Sequence, residues 1–352
     1  MKGKRQGREV SVTVDLMALA ECVERFEGKR VVVLGDFVAD SFQSGDITRV
    51  SREAPVLILR HRQTEIVPGG GANAANNFVA LGARVVPISV VGDDAVGERL
   101  IAHFRDKKVD VSGILRIKGR ITPTKTRFLA GWTHTVAQQV LRVDYEPSTS
   151  LDQTIARKIQ SLVRARVKSA DAVAISDYGF GVVTPHAVRA VSGSWKRDIP
   201  VSLDSRYQLT VYRRAGITTA TPNEAELEAL HHTTIGRNKA ELERCGRATL
   251  RHLKLASLVV TRGKDGIALF QPGSPTIHIP VHGSDQAVDV TGAGDTVLAA
   301  YTLALASGAS PIEAAHIANI AGGLVVMKRG TATVTRDELL NAIRAAASEA
   351  TS

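Results

Sequence analysis

Residues 31–37 read VVVLGDF: four apolar residues, three of them β-branched, running without a polar break into Gly35 and Asp36. A strand with one wet face alternates, so an uninterrupted apolar run needs cover on both faces, as in a parallel sheet flanked by helices. Similar segments recur as VVPISVVG at 85–92, ADAVAISDYG at 170–179, DIPVSLD at 198–204 and ASLVVTRG at 256–263. Between them, helical periodicity with Gly and Pro punctuation predicts helices over 73–81, 97–108, 151–168, 223–230 and 239–253. The expected fold is α/β, a mostly parallel central sheet with helices on both faces.

Two stretches break this rhythm. Residues 41–66, with VLILRHRQTEI, and 120–143, with TKTRFLAG and TVAQQVLRV, read as strands without a crossover helix, and are expected to form a small antiparallel flap. After 285 the chain turns helical, and its first two helices are too apolar all round for the surface. The sequence has no internal repeat, and no linker long enough to divide it. We expect a basic tail over 1–10, a helical extension over 11–30 and one domain over 31–345.

The 352 residues are 44% hydrophobic and 23% charged, enough for a large core. No apolar run reaches the roughly 18 residues that span a bilayer, and the basic opening MKGKRQGREV has no apolar stretch, so a soluble cytoplasmic protein is expected. Cys22 and Cys245 are far apart in sequence and lack ligand-spaced partners, which excludes a zinc site and fits a reducing compartment. The net charge of +10 suits an anionic partner, but aromatics make up only 4% and the cations are scattered. That argues against nucleic acid or membrane and favours a phosphorylated small molecule.

Four motifs carry chemistry. In Asp289-Val290-Thr291-Gly292-Ala293-Gly294-Asp295-Thr296 the glycines permit a tight turn. The amides of Gly292, Ala293 and Gly294 are then aimed at an anion from a helix start, with Asp295 placed as general base or as a mere cap. Pro68-Gly69-Gly70-Gly71-Ala72-Asn73 offers bare backbone to a ligand; Asn73 reads as a donor to sugar hydroxyls or as a helix cap. Asp36 and Asp40 stand at the carboxyl end of the first strand, where open α/β sheets bind ligands. Asn223 and Glu226 share one face of a helix start and could order water around magnesium, or simply close a capping box. The sequence contains no P-loop and no dinucleotide fingerprint.

Taken in this order, the acidic first strand, the Gly-Gly-Gly-Ala-Asn loop, Asn223-x-x-Glu226 and Asp-x-Thr-Gly-Ala-Gly-Asp resemble the ribokinase-like (PfkB) sugar kinases from about 30 to 340. Within that family the chain is most similar to the bacterial heptose-7-phosphate kinase branch. The segments that agree include Thr48 to Val56, Thr124 to Arg127, Gln139 to Asp144, Ser176-Asp177-Tyr178 and Thr331 to Val334. The resemblance implies ATP with Mg2+, and K+ at a monovalent-cation loop formed by Asp289 and Thr291. It makes Asp295 the base, Gly292 to Gly294 the anion hole, and Asn223 with Glu226 the magnesium-phosphate network. Asp36, Asp40, Gly70, Gly71 and Asn73 would hold the sugar, while Thr261, Gly263, Gly266 and Asn319 would flank ATP. Lys125, Arg127, Arg142 and Asp144 on the flap would grip the acceptor, unless they are a solvated strand face. Flap strands with apolar faces suggest a homodimer.

The branch commonly carries a lysine where this chain has Arg206, and another where it has Phe180. Arg206 can still clamp a phosphate, whereas Phe180 removes a cation. Fructose phosphate, a pentose or a nucleoside stay open as acceptors, as does a non-catalytic kinase-like binder. The resemblance further implies a kinase without the nucleotidyltransferase domain of fused relatives.

Overall fold

A computed structural model describes residues 14–132, 137–196, 198–206, 209–283 and 286–351. The expected basic tail and the first residues of the helical extension fall outside them. The strands are β1 (Arg30–Gly35), β2 (Phe37–Val50), β3 (Leu57–Gly70), β4 (Arg84–Gly92), β5 (Ile114–Ile117), β6 (Thr124–Gly131), β7 (Gln138–Tyr145), β8 (Ala172–Asp177), β9 (Val201–Ser205), β10 (Thr219–Ala220), β11 (Ser257–Thr261), β12 (Ile267–Phe270) and β13 (Ile277–Ile279). The helices are α1 (Leu16–Glu24), α2 (Gly71–Ala80), α3 (Ala95–Asp106), α4 (Gln153–Arg166), α5 (Pro185–Ser192), α6 (Glu224–His231), α7 (Lys239–Leu253), α8 (Ala293–Ala306), α9 (Pro311–Val325) and α10 (Arg336–Thr351).

Among the described residues nine strands form one sheet in the order β13-β12-β11-β10-β9-β8-β1-β4-β5. From β11 to β5 every pairing is parallel, with Val31 of β1 opposite Val85 on one side and Ala172 on the other. Both faces are covered, as the continuous apolar runs require. One core packs α1, α2, α3, α8, α9 and α10 on one face, and a second packs α4, α5 and α7 on the other. The helix α5 escaped the periodicity reading because it is only eight residues long and lacks the Asn-x-x-Glu box that announces the equally short α6, although Thr184 caps it and Pro185 opens it. The edge strands β12 and β13 escaped for the same reason, having four and three residues, and they run antiparallel.

The other sheet has the order β3-β2-β6-β7. Hairpins β2–β3 and β6–β7 are antiparallel, and a parallel pairing of β2 with β6 joins them. The chain passes from β1 of the large sheet into β2 of the small one across a single residue, Asp36. The register then sets Asp40 opposite Lys125, and Arg127 opposite both Phe42 and Arg142, at the seam between the sheets.

Candidate active site

Helix α8 begins at the seam. Its N-cap, Gly292, has φ +80°, and a Cβ there would lie 2.6 Å from Asn73 Nδ2, so turn and packing both demand glycine. Asp295, in the first turn, is only 3% exposed. Its Oδ2 accepts a hydrogen bond from Asn73 Nδ2 at 2.7 Å, and its Oδ1 accepts one from the Tyr178 hydroxyl at 3.3 Å. Burial pushes its carboxyl up to about 7; Asp40 adds to the rise, while Asn73, Tyr178 and Lys125 oppose it. A carboxylate so poised is basic enough to take a hydroxyl proton near neutral pH.

Two cavities meet at this side chain. A cleft of about 550 Å³ lies over the carboxyl ends of the parallel strands. It is lined by Asn223, Glu226, Thr261, Gly263, Gly266 and Asn319 from the large sheet's loops and helices, and by Ala293 and Gly294 at the start of α8. A smaller cavity of about 220 Å³ is bounded by Asp40, Gly70, Lys125, Arg127 and Arg142. Tyr178, Arg206, Gly292 and Asp295 line both. Lys125 Nζ lies 5.3 Å from the centre of the Tyr178 ring, and burial, with Arg206 nearby, holds its ammonium below the ordinary lysine range.

Several residues stand elsewhere than expected. Asp36 is fully buried and lines neither cavity; its carboxylate accepts three backbone N–H groups, so it is no sugar ligand. Gly71 also stays out of the cavities: it packs α2 onto β1, where a Cβ would fall 2.9 Å from the Asp36 carbonyl oxygen. Asn73 is fully buried and neither caps α2, whose N-cap is Gly70, nor reaches a cavity; it holds Asp295. The Ala293 amide turns back to the Val290 carbonyl at 3.3 Å rather than outward. Asp144 lines no cavity and holds Arg142 at 2.9 Å. Asn223 and Glu226 do form the capping box, 2.8 and 2.9 Å, while facing the cleft. Asn319 donates to the Pro280 carbonyl at 2.7 Å. The Asp289 carboxylate accepts the amides of Thr291 (2.9 Å) and Gly330 (3.0 Å), which brace two loops, and these hydrogen bonds hold it below the usual range against the effect of burial.

Three residues escaped the sequence reading. Tyr178 bridges the cavities; burial and the neighbouring Asp295 keep its phenol protonated, hence a donor. Thr331 donates to Asp40 Oδ2 at 3.0 Å, opposite the ion pair that Asp40 makes with Arg127. Asp204 lines the cleft beside Glu226, and both carboxyls are pushed up by burial, Asp204 further by the charge of Glu226. For two of them the available signal was position: Tyr178 follows β8 and Asp204 lies near the end of β9, on the ligand-binding edge of the sheet, whereas Thr331 lies between α9 and α10.

A cleft at the switch from strand to loop, a charged pocket beside it and one buried carboxylate between them define a kinase of the ribokinase-like class. Residues 29–338 match the pfkB family carbohydrate kinases, and the chain belongs to that family. It is 38% identical over 327 residues to the bifunctional protein HldE of Mesorhizobium japonicum, covering 92% of this chain and 64% of that protein. Against the HldE of Geobacter metallireducens the identity is 40% over 314 residues, 89% of this chain and 62% of the relative. The chain thus spans somewhat under two thirds of these relatives' lengths. In fold it is similar to ribokinase of Arabidopsis thaliana complexed with ribose and ATP, with TM-score 0.69, 21% identity, and coverage of 90% of this chain and 99% of that one. It is likewise similar to phosphofructokinase-2 of Escherichia coli in complex with substrates and products, with TM-score 0.72, 21% identity, and coverage of 90% and 99%. Among the described residues no helix is long and apolar enough to cross a membrane.

Proposed function

We propose that this kinase transfers the γ-phosphoryl group of ATP to a hydroxyl of a sugar phosphate, with D-glycero-β-D-manno-heptose 7-phosphate, giving the 1,7-bisphosphate, as its preferred acceptor. The observation that carries the reading is the smaller cavity, whose lining gathers Lys125, Arg127, Arg142 and Arg206 around Asp40 and Asp295, with Arg127 paired to Asp40 and Arg142 to Asp144. So cationic a lining offers a phosphate dianion charge-assisted contacts that a neutral sugar could not use. The choice of heptose rests on the many separate segments similar to that kinase branch.

Asp295 takes the proton of the attacking hydroxyl as its oxygen bonds to the γ-phosphorus and the bond to the ADP oxygen breaks. Asn73 and Tyr178 fix the carboxylate, and the amides of Gly292 and Gly294 stabilise charge on the transferring group. Asp40, held between Arg127 and Thr331, orients acceptor hydroxyls. Thr261, Gly263, Gly266 and Asn319 line the space for the nucleotide.

Among the described residues no three His, Cys, Asp or Glu side chains converge on a metal position, which suits Mg2+, an ion commonly held by one or two carboxylates with water and phosphates. Glu226 with Asn223 and Asp204 would hold it, and when bound it neutralises charge on the phosphates. Asp289 and Thr291 are the residues offered to K+. Closure of the small sheet over the acceptor excludes water, and its exposed apolar strands pair two copies as a homodimer.

The test is turnover with ATP on a panel of heptose 7-phosphate, fructose phosphates, pentoses and nucleosides. We expect the highest kcat/KM with the heptose phosphate; turnover confined to unphosphorylated acceptors would overturn the reading.

A further inference from the structure

The turn after β8 is wrapped around one carboxylate. Asp36 Oδ2 accepts the N–H groups of Tyr178 (3.0 Å) and Phe180 (3.1 Å), and its Oδ1 accepts that of Val182 (2.8 Å). Alternate amides converge because the intervening Gly179 and Gly181 take φ of +80° and +93°, forming a nest for an anion. Buried Arg120 donates to the Phe180 carbonyl at 2.6 Å and to the Thr149 carbonyl at 2.8 Å. One turn is thus held by its amides and by a carbonyl, from two side chains of opposite charge. The strand residue that leads into it is fixed as well: Asp177 accepts hydrogen bonds from Gly179 N, Ser205 and Tyr212. Neither Asp36 nor Arg120 lines a cavity. The residue of this turn that reaches Asp295 is Tyr178.

We propose that Asp36 and Arg120 are positioning residues for phosphoryl transfer, acting through the 178–182 turn to hold the Tyr178 hydroxyl on Asp295. The inference rests on Asp295 being the base. Misplacing a group that orients the reacting centre lowers kcat without weakening the binding of either substrate. It also removes a donor to the carboxylate, which raises the pH at which the base loses its proton. The groups around Asp295 that would otherwise set this pH are Asp40 from β2, Lys125 from β6, Asp204 from β9 and Arg206; all of them stay in place in the variants below.

The experiment is a double-mutant cycle of Arg120→Gln with Tyr178→Phe, read as kcat, both KM values and the acid limb of the kcat profile. Each single variant should lose about 10- to 100-fold in kcat with KM little changed. The acid limb should move to higher pH, and the double variant should be no worse than the poorer single. Arg120→Lys should recover part of the loss. Gly181→Ala gives a second route that leaves the buried charges intact: its Cβ meets nothing within 4 Å, yet φ +93° is strained for alanine. It should fold, reproduce the kcat loss and shift the limb. Additive losses in the cycle, or a folded Gly181→Ala with wild-type kcat and an unmoved limb, would overturn the proposal. If instead Asp295→Asn kept full activity, it is the assignment of the base that would fall.

Discussion

Asn73 Nδ2 stands 2.7 Å from Asp295 Oδ2, tying the first turn of α2 to the first turn of α8 across 222 residues of sequence. Asn77 continues the tie, donating to the Asn73 carbonyl at 3.0 Å and accepting from Thr296 at 2.7 Å. The second and last of the family's motifs are therefore one construction around a single carboxylate.

Asp295→Asn keeps shape and helix start but removes the proton acceptor. We expect kcat to fall about 10²- to 10⁴-fold, with ATP and acceptor binding little changed. In the wild type, activity should fall with pH below about 7, where the carboxyl takes up its proton. Retention of more than about a tenth of kcat would remove Asp295 from the chemistry.

The same substitution has a signature in stability. The folded carboxyl, at about 7, lies above the ordinary carboxylate value of about 4 in the unfolded chain, so the folded state holds the proton more tightly. That stabilisation is complete below about pH 4 and is lost as pH rises through 7. Asparagine never ionises, so Asp295→Asn should gain about 2 kcal/mol relative to wild type between pH 5.5 and pH 8, by denaturant unfolding at each pH. A difference independent of pH would mean that the carboxylate is well solvated in the native state.

Why this much was legible, and no more, is clearest in Asp36 and Asp40. The apolar run VVVL announced a covered parallel strand, and Asp295 with its glycines announced a tight turn into a helix start, because both are local patterns. Two acids four residues apart on one continuous segment look equivalent in sequence. They differ because the chain changes sheets at Asp36, and because a turn 142 residues later closes on that carboxylate. Asn73 was misread for the same reason: its partner is remote. Tyr178 stood in a recognisable segment, Ser176-Asp177-Tyr178, but without a role, since its importance comes from standing where two cavities meet.

Lys125→Met keeps the apolar stem and removes a cation that borders only the acceptor cavity. A lost charge-assisted contact to phosphate should raise the acceptor KM about 10- to 100-fold for a sugar phosphate, with the ATP KM unchanged. For an unphosphorylated analogue the acceptor KM should barely move. An equal rise for both acceptors would place the phosphate away from Lys125.

The small sheet leaves Val140, Leu141 and Tyr145 of β7 about half exposed, an apolar edge that single chains rarely leave bare. Sedimentation of the wild type at micromolar concentration should show a dimer, and Val140→Lys with Leu141→Lys a monomer of unchanged helix content. A monomeric wild type would remove the pairing of two copies from the account.

Gly292→Ala and Gly294→Ala separate turn from anion hole at the start of α8. At Gly292 the added methyl meets Asn73 Nδ2 at 2.6 Å in a backbone of φ +80°, so Asn73 must give way and release Asp295. Destabilisation of about 1 to 3 kcal/mol should accompany a fall in kcat. At Gly294 the methyl meets nothing within 4 Å, and alanine suits a helix better than glycine by about 1 kcal/mol. That variant should be as stable as wild type or more so, yet its methyl projects into the cleft where the transferring phosphates would lie. Its loss should therefore appear in the ATP KM and in kcat while the melting temperature holds or rises. Full activity in a stabilised Gly294→Ala would show that phosphate does not approach this helix start, and the anion-hole assignment of Gly292 and Gly294 would fail with it.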